Sequence, residues 1–150
     1  MHRDGQKDDG MGESVKRAAR DALVVACAIS TGIHGALAPA HLREEPAAGV
    51  GFLLSTILLA VLCVALTIRP ASRAADAAAG ALLAGLIVAY GFAVTTGVPV
   101  LHPGVEPADR LGLVTKAVEL VGLVAALYLA APPARPALRL AHLQTKGTIR

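Results

Sequence analysis

The sequence predicts an all-α polytopic membrane protein, an antiparallel bundle of four transmembrane helices. Three observations predict it. The chain of 150 residues is 55% hydrophobic and only 17% charged, where water-soluble domains carry about 25% charged residues. Aromatic residues make up 3% with no Trp, so the apolar content is Ala, Leu, Val and Gly, which suits helices packed closely in lipid. Four apolar stretches recur, each close to the roughly 20 helical residues that cross a hydrocarbon core about 30 Å thick. The same composition excludes disordered, collagen-like and disulfide-scaffold classes. Cys27 and Cys63 both lie inside apolar runs and read as small buried hydrophobes.

Residues 1–17, rich in charge and Gly, read as a disordered cytoplasmic tail. Residues 18–134 form the transmembrane domain, and residues 135–150 a short basic cytoplasmic tail. The first span covers residues 21–41 and is broken only by His34. The second, 46–69, has no ionisable group except Cys63. The third covers 77–101. The fourth, 111–131, is apolar apart from Lys116 and Glu119. A proline in a helix interior removes a hydrogen bond and clashes with the preceding turn, so the prolines test these bounds. Pro46, Pro70, Pro99, Pro103, Pro107, Pro132, Pro133 and Pro136 fall at edges or in connections, and Pro39 falls in the last turn of the first span.

Orientation follows from Lys and Arg, which resist translocation. With the N-terminus inside, eleven of the fourteen lie in cytoplasmic segments, Arg43 and Arg110 lie outside, and Lys116 lies within the membrane. The formal charge of +3 is therefore a topology signal and implies no nucleic-acid partner. The expected location is the cell membrane, multi-pass, with both termini cytoplasmic. The run ending in Ala38-Pro39-Ala40 also has features of a secretory signal. Pro39 within the cleavage position and a leader carrying five acidic groups favour a retained helix.

Lipid gives helices no hydrophobic reason to associate, so small residues and polar groups mark the contact faces. In the first span Ala28, Gly32 and Ala36 recur every fourth residue. Gly80 with Ala84, and Ala81 with Gly85, do so in the third, as do Gly122 and Ala126 in the fourth. At 100° per residue Gly112, Thr115, Glu119, Gly122 and Ala126 share one face, with Lys116 beside them, while Leu113, Leu120, Val124, Leu127 and Tyr128 point away. The first face is expected in the bundle and the second in lipid.

Depth can be counted at about 1.5 Å per residue. His34 falls roughly 10 Å below the outer end of the first span, and Glu119 roughly 12 Å below the start of the fourth, so the two share a level. Ser55, Thr56, Thr95, Thr96, Thr115 and Lys116 also lie in the outer half. Toward the cytoplasm the spans offer little more than Cys27, Cys63 and Thr67. This segregation predicts an outward-facing polar pocket above an apolar plug. An ionised side chain at mid-membrane costs at least about 2.5 kcal/mol on insertion scales, so Lys116 and Glu119 need partners or water, and their i, i+3 spacing lets them meet. His34, Lys116, Glu119 and Thr115 are the candidate ligand- or proton-binding residues.

Imidazole and carboxylate together suit Zn or Cu(II), which makes His34, His41, His102 and Glu119 the candidate metal ligands. His34 and His41 share a helix face but stand about 10 Å apart on a straight helix, so a shared site requires Pro39 to break the last turn and fold His41 back. The segment 98–107, stiffened by Pro99, Pro103 and Pro107, is preorganised either to dock on the pocket mouth or another protein, or simply to join two helices tightly.

The stretch 95–119, with His-Pro-Gly at 102–104, Glu106-Pro107 and Thr115-Lys116-x-x-Glu119, resembles small four-span bacterial integral membrane proteins that also carry histidines at the outer end of their first span. That resemblance implies membership of such a family and assigns no activity. No Ser-His-Asp arrangement, CxxC, phosphate-binding glycine loop or HExxH stands in the sequence, so no enzyme is expected. The primary expectation is a binding or accessory protein whose pocket holds a proton, metal ion or small ligand in the lipid bilayer. The second is a structural or assembly subunit that associates with other membrane subunits.

Overall fold

The computed structural model describes residues 5–98 and 104–132. They form four helices: α1 (Gly5–Glu44), α2 (Pro46–Ile68), α3 (Arg73–Thr95) and α4 (Arg110–Ala130). All four are long and apolar enough to cross a membrane. Consecutive helices run antiparallel. α1 lies between α2 and α4, α3 packs on α4, and α2 and α3 touch only lightly. The chain is thus an all-α, four-helix polytopic bundle.

Local chemistry sets the helix ends. Pro46 stands in the first turn of α2, where its missing N–H is not needed. Glu45 alone separates α1 from α2, and this tight hairpin requires Gly49, because a Cβ there would fall on the Leu42 backbone. Pro70 follows α2, and Ser72 caps α3 by accepting from the Ala75 N–H at 3.3 Å. Gly97, at φ 75°, ends α3 in the left-handed conformation that favours glycine. The Asp109 carboxylate caps α4 by accepting from the Gly112 N–H at 2.6 Å. Within the third connection the Glu106 N–H donates to the Ala93 carbonyl at 2.9 Å, which folds the loop back on the end of α3.

Three sequence expectations change. Residues 5–17, expected to be disordered, continue α1 as helix. Propagating a helix already nucleated by the span adds a bond per residue without a nucleation cost, and Glu13 stands three and four residues before Lys16 and Arg17, a helix-supporting spacing. α1 also runs past the expected end at His41, through Pro39, to Glu44, without the break that a shared His34–His41 site requires. The proline is exposed and close to the helix end, so it forfeits one hydrogen bond and little packing. Finally, α3 starts at Arg73 and stops at Thr95, so its polar first turn is part of the helix.

The core is Leu23, Cys27, Leu59, Leu66, Ala79, Leu83, Ala125 and Ala126. The α4 prediction holds: Thr115, Glu119, Gly122 and Ala126 are buried, whereas Leu113, Leu120, Val124, Leu127 and Tyr128 are exposed. A Cβ on Gly122 would lie 2.7 Å from Ala26 Cβ and 2.9 Å from Leu83 Cδ1, so this glycine sets the approach of three helices. In α3 Gly80 packs on Ala126, while Ala81 and Gly85 face outward. The α1 prediction fails. Ala28, Gly32 and Ala36 are exposed, and the buried stripe is Leu23, Ala26, Cys27, Ser30, His34 and Ala38. Turning Ser30 and His34 into hydrocarbon would cost more than a small-residue contact gains, so the polar pair decides the rotation of α1.

Candidate functional site

Glu119 is the centre of a network that joins three helices. It is fully buried, and both carboxylate oxygens are engaged. Ser30 Oγ on α1 donates to Oε1 at 2.8 Å, and Lys116 Nζ, one turn away on α4, donates to Oε2 at 2.6 Å. Lys116 reaches α3 as well, donating to the Leu86 carbonyl at 3.3 Å, and its ammonium lies 5.5 Å from the Tyr90 ring centroid, within cation–π range. Gly112 makes room for that ring, since a Cβ there would come within 2.8 Å of it. A lysine has three donors and no acceptor, and each of these contacts suits one.

His34 completes the cluster. Its Nδ1 lies 2.9 Å from the Ser30 carbonyl oxygen, which can only accept, so Nδ1 carries hydrogen and donates. Ser30 Oγ stands beside the same nitrogen at 3.3 Å. Nε2, left as the proton-accepting nitrogen, lies 3.9 Å from Glu119 Oε1. That gap exceeds hydrogen-bond length. Phe52 of α2 covers the imidazole at a centroid distance of 5.4 Å and stacks on His41 at 4.2 Å.

The structure therefore brings together His34, Lys116 and Glu119. It does not bring Thr115 to them: its hydroxyl donates back to the Leu111 carbonyl at 2.7 Å. His41 stays on the far side of Phe52, with Nδ1 3.0 Å from the Leu37 carbonyl, because α1 remains helical through Pro39. His102 lies outside the described residues. Among the described residues no three His, Cys, Asp or Glu side chains form a metal-binding group, and the Glu119 oxygens already have donors. The polar pocket expected here is filled by its own side chains, with His34 only 6% exposed.

Sequence reasoning missed Ser30, Tyr90 and the Leu86 carbonyl. Ser30 was legible, since it stands four residues before His34 and so shares its face. A second buried pair was missed at the opposite end of the bundle, where Arg20 Nη2 of α1 contacts Asp76 Oδ2 of α3 at 3.4 Å. Both residues fell just outside the apolar runs. Asp76 is 1% exposed, so the polar groups occupy two levels with the apolar core between them.

No protein-family model, curated protein or solved structure matches the chain.

Proposed function

We propose that this is a cell-membrane accessory protein in which His34, set against Glu119 and Lys116, forms a buried proton-binding site. The observation that carries the reading is the asymmetry of His34: Nδ1 is committed to the Ser30 carbonyl, while Nε2 faces a carboxylate 3.9 Å away. A proton taken up at Nε2 would make an imidazolium next to Glu119, and an approach of about 1 Å would close a charge-assisted hydrogen bond. Glu119 already neutralises Lys116, so uptake adds one net charge to a site spanning α1, α3 and α4. The groups that face His34 are Glu119 and Lys116 from α4, Tyr90 behind Lys116 on α3, Phe52 on α2 and His41 beyond it. Proton binding thus bears on the packing of the whole bundle.

Nitrogen NMR of histidine-labelled protein in detergent tests this. One imidazole signal should vanish in His34→Gln, and its titration midpoint should move by about one pH unit or more in Glu119→Gln, because interacting groups titrate as a unit. An unchanged midpoint refutes the site. The proposed orientation places both termini in the cytoplasm. A single cysteine at Gln144→Cys, with Cys27 and Cys63 replaced, should resist impermeant reagents in sealed cells, and labelling from outside would reverse it.

The second reading, a structural or assembly subunit of a larger membrane complex, is supported by the completeness of the Glu119 contacts. A network that satisfies itself fixes helix register without any ligand. Recovery of a stoichiometric complex from mild detergent would favour it.

A further inference from the structure

The Arg20–Asp76 pair forms the floor of a cleft of about 510 Å³. Its walls come from three places in the chain. Lys16 and Arg17 extend from α1 about three turns after its start, Arg73 opens α3 beside Pro70 and Ala71, and Tyr128 and Leu129 lie in the last turn of α4. Four basic side chains therefore surround a single carboxylate. That carboxylate is already turned to Arg20, which leaves a net positive cleft at one end of a transmembrane bundle. Arg20 Nη1 is buried and has no hydrogen-bond partner, and the same holds for Asp76 Oδ1. A buried guanidinium nitrogen without an acceptor carries a desolvation penalty that an added anion would relieve.

We infer that this cleft binds the phosphate headgroup of an anionic membrane lipid. Charge selects an anion, and Arg is suited to phosphate because its planar fork donates two parallel hydrogen bonds. Position selects a lipid. The cleft sits where the helices leave the apolar layer, and directly beside it α4 presents exposed Leu127 and Val124 along which acyl chains can lie. Tyr128, 47% exposed, has the amphipathic shape that favours the headgroup level. Basic pockets between transmembrane helices are established sites for such headgroups. The Asp76 carboxylate opposes an anion, and its pairing with Arg20 keeps it from cancelling the other three cations. The inference is independent of the His34 site at the far end.

Native mass spectrometry of the full chain in detergent, titrated with phosphatidylglycerol or phosphatidylcholine, tests it. Arg17 and Arg73 are exposed, so the double variant Arg17→Gln/Arg73→Gln retains the fold. It should lose phosphatidylglycerol affinity by about tenfold or more, since two basic residues near the headgroup are removed. Phosphatidylcholine binding should be weak and unchanged. The control Arg43→Gln/Arg110→Gln removes the same charge elsewhere and should bind as the parent does. Equal losses in both double variants would reduce the effect to bulk charge and overturn the site. Full retention by Arg17→Gln/Arg73→Gln would also overturn it, and competition by millimolar glycerol phosphate would assign the cleft to a soluble phosphate instead of a lipid.

Discussion

At one end of the bundle Glu119 is fully buried with both oxygens hydrogen-bonded, and its cationic partner reaches a third helix. At the other end Asp76 is equally buried, yet one of its oxygens and one nitrogen of its arginine partner lack hydrogen bonds, and the pair lines an open cleft. Arg20 and His34 stand fourteen residues apart on α1, roughly 21 Å along the axis, with apolar core between. Two buried carboxylates in one bundle therefore have different surroundings. A closed cluster is finished within the chain and acts on packing, whereas an open one invites an outside group. The contrast also separates the two proposals, because a proton needs no cavity and a headgroup does.

The sharpest way to break this contrast is to remove each carboxylate. Glu119→Ala strands the Lys116 ammonium inside the bundle and should cost about 3 kcal/mol, the low end of breaking a buried pair. Replacing both, as Lys116→Met/Glu119→Leu, should cost clearly less than the two single losses together, since no charge is left unpaired. Asp76→Ala leaves Arg20, whose side chain is 19% exposed, at the edge of the cleft and should cost less, about 1–2 kcal/mol. Equilibrium unfolding in mixed micelles measures these three variants and the single replacements Lys116→Met and Glu119→Leu. An Asp76→Ala loss equal to that of Glu119→Ala would erase the distinction between closed and open.

How far the sequence foretold these two ends differs for a physical reason. Four spans, the buried face of α4 and the meeting of His34 with Glu119 were legible, because apolar length and helical periodicity encode them directly. Lys116 and Glu119 interrupt an apolar run and so announce themselves. Arg20 and Asp76 stand at the margins of their runs, where polar residues are ordinary, and nothing local says that α3 carries Asp76 into the interior. Composition also misread residues 5–17, since charged residues are good helix formers once a neighbouring helix has nucleated. In α1 the small-residue spacing points to the wrong face, because Ser30 and His34 outweigh it in setting the rotation. Only the partner helix reveals which stripe it faces.

That rotation yields the smallest and most discriminating effects. Arg20, Leu23, Cys27, Ser30 and His34 fall on one stripe of α1, so both charge clusters orient the helix the same way and Gly32 is turned out. Nothing lies within 4 Å of a Cβ placed on Gly32, whereas one on Gly122 meets Ala26 and Leu83. Gly122→Ala should therefore cost about 1–3 kcal/mol by overpacking. Gly32→Ala should leave stability unchanged or raise it by up to about 1 kcal/mol, as alanine limits the unfolded backbone and strengthens an unobstructed helix. The same micelle unfolding assay reads both. If Gly32→Ala were the more damaging, α1 would be turned the other way and Ser30 and His34 would leave the interior. The proton site and the cleft would then both lose the helix on which they depend.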